Sequence, residues 1–154
     1  MSKNIIGTIK EVAGLKWRVL GKTENGYMCA AEDSIGGMEF DNKCNDWRKS
    51  ILREYLNTVI RKRLEDAGVK LVEFERDLLS LDGQTEYGTC MDKVSLLTVD
   101  EYRKYRSLIP NTGDYWWWII TPDSTKCNND KTWVRVVSPS GYVRSWDCNN
   151  DYGV

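Results

Sequence analysis

The sequence predicts an α+β fold, and three observations carry that prediction. Asn25-Gly26 separates two β-prone runs, residues 15–20 and 27–31, which is the strongest short-range signal for a hairpin. Residues 46–68 carry apolar side chains at helical spacing. The last third of the chain alternates bulky β-prone runs with turn residues. Because 154 residues correspond to about one domain, we expect a single domain over residues 1–154.

The hairpin comes first, and its loop can begin as early as Gly21. The helix over residues 46–68 follows, with Gly68 as its C-terminal stop. Its predicted apolar face consists of Ile51, Leu52, Tyr55, Leu56, Val59, Ile60 and Leu64. Residues 70–87 have only short apolar runs, which indicates a strand or an irregular segment with a turn at Asp82-Gly83.

A strand is predicted over residues 92–97, followed directly by a second helix. Thr98 and Glu101 have the spacing of a capping box, in which each side chain bonds the backbone N–H of the other's position. The helix is expected to run to about Ser107 and to end before Pro110, because a proline disfavours helical backbone at the residue before it.

The C-terminal third is predicted to be β-structure. Strands are expected over residues 116–120, 132–137 and 142–146, with turn chemistry at residues 138–141. Strand alternation directs Trp117 away from Trp116 and Trp118. It also places Val134 and Val136 opposite Trp133, Arg135 and Val137, and it separates Val143 and Ser145 from Tyr142, Arg144 and Trp146. Polar loops are predicted over residues 123–131 and 147–152.

The same region has the composition of a recognition surface. Five of the seven tryptophans fall between residues 112 and 154, interleaved with many Asn, Asp and Ser residues. A buried core does not need so many polar residues, and a solvated surface does not need so many tryptophans. Rigid aromatics among small, adaptable hydrogen-bonding side chains are typical of antibody paratopes. We therefore expect the chain to bind a ligand through this region.

Composition excludes several other functions. The net charge is −1 with scattered Lys and Arg, so neither a nucleic-acid footprint nor a polybasic membrane segment is predicted. No apolar run approaches the roughly 18–20 residues that span a bilayer. Residues 1–10 lack the apolar core of a signal peptide.

The chain has no histidine, which removes the commonest general base and metal ligand. Its five cysteines include no CxxC pair, so no metal site and no cofactor are predicted. The odd count favours reduced thiols, although a Cys127–Cys148 bridge is feasible if their strands lie side by side. No set of catalytic residues is recognisable, and we expect no enzymatic activity.

Several segments in order resemble a known family. They are Trp-Arg-Val-Leu at 17–20, Ser-Ile-Leu-Arg-Glu-Tyr-Leu-Asn at 50–57, Asp-Lys-Val-Ser-Leu-Leu at 92–97, Thr-Val-Asp-Glu-Tyr at 98–102, the Trp cluster, Ser-Pro-Ser-Gly at 138–141 and Tyr-Gly-Val at 152–154. Together they resemble the variable proteins of diversity-generating retroelements, which are related to phage tropism determinants. No single motif is decisive, but the order and spacing extend over nearly the whole chain.

The resemblance implies a C-type lectin-like fold of the formylglycine-generating-enzyme type. Such a fold has a twisted antiparallel sheet, two helices and a loop-rich C-terminal binding face. It also implies that residues 112–154 are diversified by adenine-directed mutagenesis, which typically targets Asn codons. Adenine changes in an Asn codon cannot produce Trp, so Trp133 and Trp146 are fixed or arise from other template codons. Family members usually continue past Gly-Val into an Arg-Pro-containing strand, and here the sequence ends at Val154.

The expected function is therefore non-catalytic display of a hypervariable binding surface. The ligand is expected to be a protein or glycan on a cell surface, bound without nucleic acid or membrane insertion. The protein is expected to form a homo-oligomer or to join a larger phage or bacterial assembly, and to be virion-associated or cytoplasmic. The predicted anchors are Trp133, Arg135, Tyr142, Arg144 and Trp146, on one face of a hairpin. The remaining predicted ligand-binding residues are Asn128, Asn129, Asp130, Ser145, Asp147, Asn149, Asn150, Asp151 and Tyr152.

Two alternatives remain open at the sequence level. The first is a fixed carbohydrate-binding domain, in which the oxygen-rich segment 146–151 could ligate calcium. The second is an enzyme of the formylglycine-generating type, although its cysteine motif is not matched by Cys127 and Cys148. Asp123 and Asp147 are a conceivable carboxylate pair, but nothing in the sequence arranges them.

Overall fold

The computed structural model of the chain describes residues 3–154, so the first two residues of the 1–10 segment lie outside it. Within that range the chain is a mixed α+β protein with three sheets and one main helical segment. The strands are β1 (Ile9–Val12), β2 (Leu15–Lys22), β3 (Tyr27–Ala31), β4 (Gly37–Met38), β5 (Phe74–Asp77), β6 (Thr89–Asp92), β7 (Trp117–Pro122), β8 (Trp133–Val137), β9 (Val143–Asp147) and β10 (Tyr152–Gly153). The helices are α1 (Ile51–Tyr55), α2 (Arg61–Asp66) and α3 (Val99–Lys104), with 3-10 turns at Trp47–Lys49, Arg106–Leu108 and Lys126–Asn128.

The predicted N-terminal hairpin is confirmed as β2 and β3. The two strands are antiparallel, and the Thr23 N–H donates to the Gly26 carbonyl at 2.8 Å across the turn. A further strand, β1, pairs with β2 through a tight turn in which Ala13 and Gly14 both have positive φ. We did not predict β1, because its Ile-Lys-Glu-Val segment is largely exposed and its two-residue turn has Ala13 before Gly14 instead of the Asn or Asp typical of a hairpin.

The main helix is confirmed, but it is not uniform. It consists of the 3-10 turn, α1, a π-helical turn at Leu56–Ile60 and α2. Its buried stripe is Leu52, Leu56, Ile60 and Leu64, four residues apart, whereas Ile51 and Val59 of the predicted face are exposed. The Ser50 hydroxyl caps α1 by accepting from the Arg53 N–H. Gly68 follows the helix with φ of 89°, as expected of a C-terminal stop.

The strand predicted over residues 92–97 is wrong. The chain is extended over Thr89–Asp92, where it pairs with β5, and it is irregular afterwards. Two side chains from elsewhere hold the irregular segment. The Asn57 amide oxygen accepts from the N–H groups of Lys93 and Val94, and its amide nitrogen donates to the Val94 carbonyl. The backbone of Lys93 and Val94 is therefore held by a side chain of the main helix instead of a neighbouring strand.

The capping box at the start of α3 is confirmed. The Thr98 hydroxyl accepts from the Glu101 N–H at 3.0 Å, and the Glu101 carboxylate accepts from the Thr98 N–H at 2.9 Å. Glu101 also pairs with the buried Arg76 guanidinium. The helix is shorter than predicted and passes into the 3-10 turn before Ile109, which is extended ahead of Pro110.

The largest sheet has the strand order β4-β10-β7-β8-β9. It is mixed and not purely antiparallel as predicted, because β10 runs parallel to β7. One face sends Trp118, Ile120, Val134 and Val136 into the main core with Phe40 and Trp47. The other face packs Ile119 and Val137 against Val99 and Tyr102 of α3. The alternation predicted for the Trp cluster is therefore confirmed: Trp117 lies on the α3 side and Trp118 in the main core.

No helix among residues 3–154 is both long enough and apolar enough to cross a membrane.

A buried carboxylate joins the main helix to β6. Asp92 accepts from the Trp47 indole N–H at 2.7 Å and from the Arg53 Nε at 2.7 Å. The Asp92 side chain is 2% exposed, and that of Arg53 is 28% exposed. Removal of the carboxylate would leave a buried indole N–H and a partly buried guanidinium without their partner.

We predict that Asp92→Ala lowers the free energy of unfolding by about 2–3 kcal/mol, because the partners lose a charge-assisted hydrogen-bond acceptor. Urea denaturation measures this change. Asp66→Ala is the matched control, since the Asp66 side chain is 65% exposed and pairs only with exposed Lys62. The control is expected to stay within about 0.5 kcal/mol of the wild type. A similar small change for Asp92→Ala would contradict the prediction.

Candidate ligand-binding surface

The pairing register of β8 and β9 divides the predicted anchors between two faces of the sheet. Val134 is opposite Trp146 and Val136 is opposite Arg144, whereas Trp133 is opposite Asp147 and Arg135 opposite Ser145. Directly opposite residues of an antiparallel pair project on the same side. The prediction that the five anchors share one face is therefore wrong: Tyr142, Arg144 and Trp146 lie on one side, and Trp133 and Arg135 on the other.

Aromatic side chains cluster on the Trp146 side. The ring centroids of Trp116, Trp146 and Tyr152 are mutually 6.1–6.2 Å apart. Tyr152 also meets the fully buried Trp118 edge-on at 5.0 Å, which ties the cluster to the main core. These separations lie within the range of favourable aromatic pairs. We call Trp116, Tyr142, Arg144, Trp146 and Tyr152 the aromatic face.

Strand geometry places each member of this face. The edge strand of the sheet, β9, contains Arg144 and Trp146, and Tyr142 directly precedes it. The three residues are spaced two apart. Tyr152 is brought beside them by β10, which pairs with both β4 and β7. A Cβ at Gly153 would lie 3.0 Å from the Trp116 carbonyl and 2.9 Å from the Tyr115 ring, so glycine allows this close approach.

The outer members of the aromatic face are open to solvent. Tyr142 is 65% exposed and Trp146 is 42% exposed. The Arg144 guanidinium lies over the Tyr142 ring at 5.7 Å, a cation–π arrangement. Burial raises the pKa of the Tyr152 hydroxyl. A contiguous exposed aromatic patch of this kind is typical of an interaction site.

An open depression adjoins the aromatic face. Its volume is about 620 Å³, and its walls include Trp116, Tyr142 and Arg144 together with the turn at residues 138–141. The turn is fixed by the Ser138 hydroxyl, which accepts from the Tyr142 N–H at 2.9 Å. The Tyr102 hydroxyl donates to the Gly141 carbonyl at 2.8 Å and ties the turn to α3.

The opposite face carries a different set of predicted residues. Trp133 is 44% exposed, and Arg135 is held by an ion pair with Asp123 at 2.6 Å. The Arg135 Nε atom is buried without a hydrogen-bond partner among residues 3–154. Ser145 and Asp147 share this side through their pairing with Arg135 and Trp133. Because the Arg135 guanidinium is already paired with Asp123, this side chain stabilises the local fold and is less available to contact a ligand.

Hydrogen bonds to other parts of the chain hold the loop that contains Asn128, Asn129 and Asp130. Buried Asn45 donates to the carbonyls of Ser124 and Trp133 at 3.0 Å, and it accepts from the Tyr87 hydroxyl at 2.6 Å. The Asn128 amide donates to Asp82, and the Asp130 carboxylate accepts from the Trp133 N–H. Asn129 has a positive φ of 59° and an exposed side chain.

The second predicted loop turns back on itself through Asp147. The Asp147 carboxylate accepts from the Asn149 N–H, and the Asn150 amide donates to the Asp147 carbonyl. Asn149 and Asp151 are exposed. Within the described part of the chain, no three His, Cys, Asp or Glu side chains converge on a possible metal position.

All five cysteines fall within the described range and are free thiols. Cys127 is exposed in its loop while Cys148 is buried, so the possible bridge between them is not formed. Burial raises the pKa of the Cys148 thiol to about 12, which makes it unreactive at neutral pH.

Comparison of the chain with protein-family models, curated proteins and solved structures finds no match.

Sequence reasoning missed Trp116 as a surface residue. The predicted strand over residues 116–120 includes it, but β7 begins at Trp117 and Trp116 is only partly buried, next to Trp146 and Tyr152. Strand alternation gave the correct side for Trp116. Alternation does not indicate where along a strand the core ends, and here the core ends before Trp116.

Proposed function

We propose that the protein is a non-catalytic ligand-binding protein and that the aromatic face is its recognition surface. One observation carries the proposal: three aromatic rings, an exposed tyrosine and an exposed arginine meet beside a depression on one side of the sheet. Trp, Tyr and Arg are the residue types enriched at binding hot spots. The buried Trp118 beneath Tyr152 limits the motion of the cluster, so less entropy is lost when a ligand binds.

We further propose that the fold is C-type lectin-like and that the chain is a variable protein of a diversity-generating retroelement. The segment order that resembles this family supports the proposal. The arrangement of the C-terminal third is compatible with it, because several predicted variable side chains point to solvent over a fixed scaffold. These side chains are Asn128, Asn129, Tyr142, Arg144, Trp146, Asn149 and Asp151. Their replacement would leave the main core unchanged.

The proposed ligand is a protein or glycan on a cell surface. A single face of this size gives modest affinity, so display in several copies, by self-association or on a phage or bacterial assembly, would raise the avidity. Neither nucleic acid nor membrane insertion forms part of the proposal.

Trp146 and Trp133 form a matched pair that tests the recognition face. They are 42% and 44% exposed and belong to the two strands of one hairpin, but they lie on opposite sides of the sheet. We expect Trp146→Ala to reduce binding of the labelled protein to a glycan array at least about 30-fold, as for an aromatic hot spot worth about 2 kcal/mol. Trp133→Ala is expected to bind like the wild type. Loss of binding in Trp133→Ala alone would move recognition to the other face.

The retroelement proposal is tested separately on the DNA that surrounds the gene. We expect a near-identical repeat of the region coding for residues 116–152, located beside a reverse-transcriptase gene and differing from the coding copy mainly at template adenines. Sequencing of the locus measures this directly. A locus without such a repeat would leave a fixed binding domain.

A further inference from the structure

The depression beside the aromatic face is rich in hydrogen-bond donors. The guanidinium of Arg144 has no carboxylate within 4.0 Å and makes no hydrogen bond among residues 3–154, which leaves its donors available. Asn111 also lines the depression. Its amide oxygen accepts from the Arg106 guanidinium, so its amide N–H groups remain free to donate.

The lining carries no negative charge. None of its residues is acidic, and the exposed Ser140 and Tyr142 hydroxyls can donate or accept, with the Ser140 oxygen 3.2 Å from the Ser138 oxygen. The Ser138 hydroxyl oxygen is occupied by the Tyr142 N–H. A second guanidinium, that of Arg106, lies directly behind Asn111 without a carboxylate partner in the described chain, which makes the local potential more positive. A donor-rich, cationic wall complements an acceptor-rich anion.

The same depression offers aromatic rings beside its donors. Trp116 and Tyr142 form part of its walls, and their faces can pack against the C–H groups of a sugar ring. The turn at residues 138–141 forms one wall of the depression. A pyranose ring that bears a carboxylate matches both features: the ring packs on the aromatics and the carboxylate meets Arg144.

We infer that the depression binds an acidic sugar, with Arg144 as the residue that selects the carboxylate. This inference rests on the proposed recognition role of the aromatic face and adds the chemical class of its ligand. Arg144 would pair with the carboxylate through two parallel N–H donors, a geometry that lysine cannot reproduce. Asn111 and Ser140 would donate to ring hydroxyls or to the glycosidic oxygen.

The test uses two pairs of probes that differ in one acidic group. They are methyl β-glucuronide against methyl β-glucoside, and the methyl α-glycoside of N-acetylneuraminic acid against its uncharged carboxamide. Ligand-observed NMR titration of the full chain measures each dissociation constant. We expect at least one acid to bind about tenfold or more tightly than its neutral partner, and this preference to shrink in 0.5 M NaCl because salt screens the ion pair.

Arg144→Gln is expected to abolish the preference for the acid while weak binding of the neutral sugar remains. Arg144→Lys is expected to retain part of it. Arg103→Gln, which alters an arginine of α3 that is 72% exposed and lies outside the lining, is the matched control and is expected to keep the preference in full. Thermal unfolding verifies that all three variants are folded.

Three outcomes would overturn the inference. Both acids could bind no more tightly than their neutral partners, Arg144→Gln could keep the preference, or a hexaglutamate peptide could displace the acidic sugars at lower concentration than they displace each other. If Trp146→Ala still abolishes array binding in any of these cases, the proposed recognition face stands and only the ligand class is wrong. If Trp146→Ala binds like the wild type, the recognition face itself is wrong.

Discussion

The aromatic face depends on the insertion of β10 between β4 and β7. The Gly153 N–H donates to the Trp116 carbonyl at 2.8 Å on one side, and the Val154 N–H donates to the Gly36 carbonyl at 3.0 Å on the other. These bonds join the two strands into one sheet and place Tyr152 against Trp116, Trp118 and Trp146. Without β10, the Tyr152 ring would not reach the cluster, and β7 would have an open edge.

The second determinant is the register of the β8–β9 hairpin. A shift of one residue in β9 would move Trp146 to the α3 side and bring Ser145 and Asp147 to the aromatic face. The register is fixed on both sides of the sheet. Val143 of β9 packs against the α3 cluster, and Trp146 of β9 packs against Trp116 and Tyr152 on the other side, so a shifted register would remove both side chains from their apolar partners. Core packing therefore dictates which polar and aromatic side chains face the solvent.

Local signals in the sequence were sufficient for part of this structure. Four features follow from spacing within one segment, and the structure confirms them. They are the Asn25-Gly26 hairpin, the buried stripe of the main helix, the capping box at Thr98 and the alternation of the Trp cluster. The wrongly predicted strand over residues 93–97 is different, because its backbone bonds to side chains that are distant in sequence. The N–H groups of Lys93 and Val94 donate to Asn57, and the Leu96 carbonyl accepts from Arg76. The parallel pairing of β10 and the division of the anchors depend on partners that no local pattern specifies.

Trp146 belongs to one aromatic cluster with Trp116 and Tyr152, while Trp133 lies across the sheet. Nuclear Overhauser contacts in selectively labelled protein distinguish this arrangement from its alternatives. We expect contacts from the Trp146 indole protons to the rings of Trp116 and Tyr152, and backbone contacts between Arg135 and Ser145 in the hairpin. Contacts from the Trp133 indole to Trp116 or Tyr152, with the Trp146 contacts missing, would contradict this arrangement.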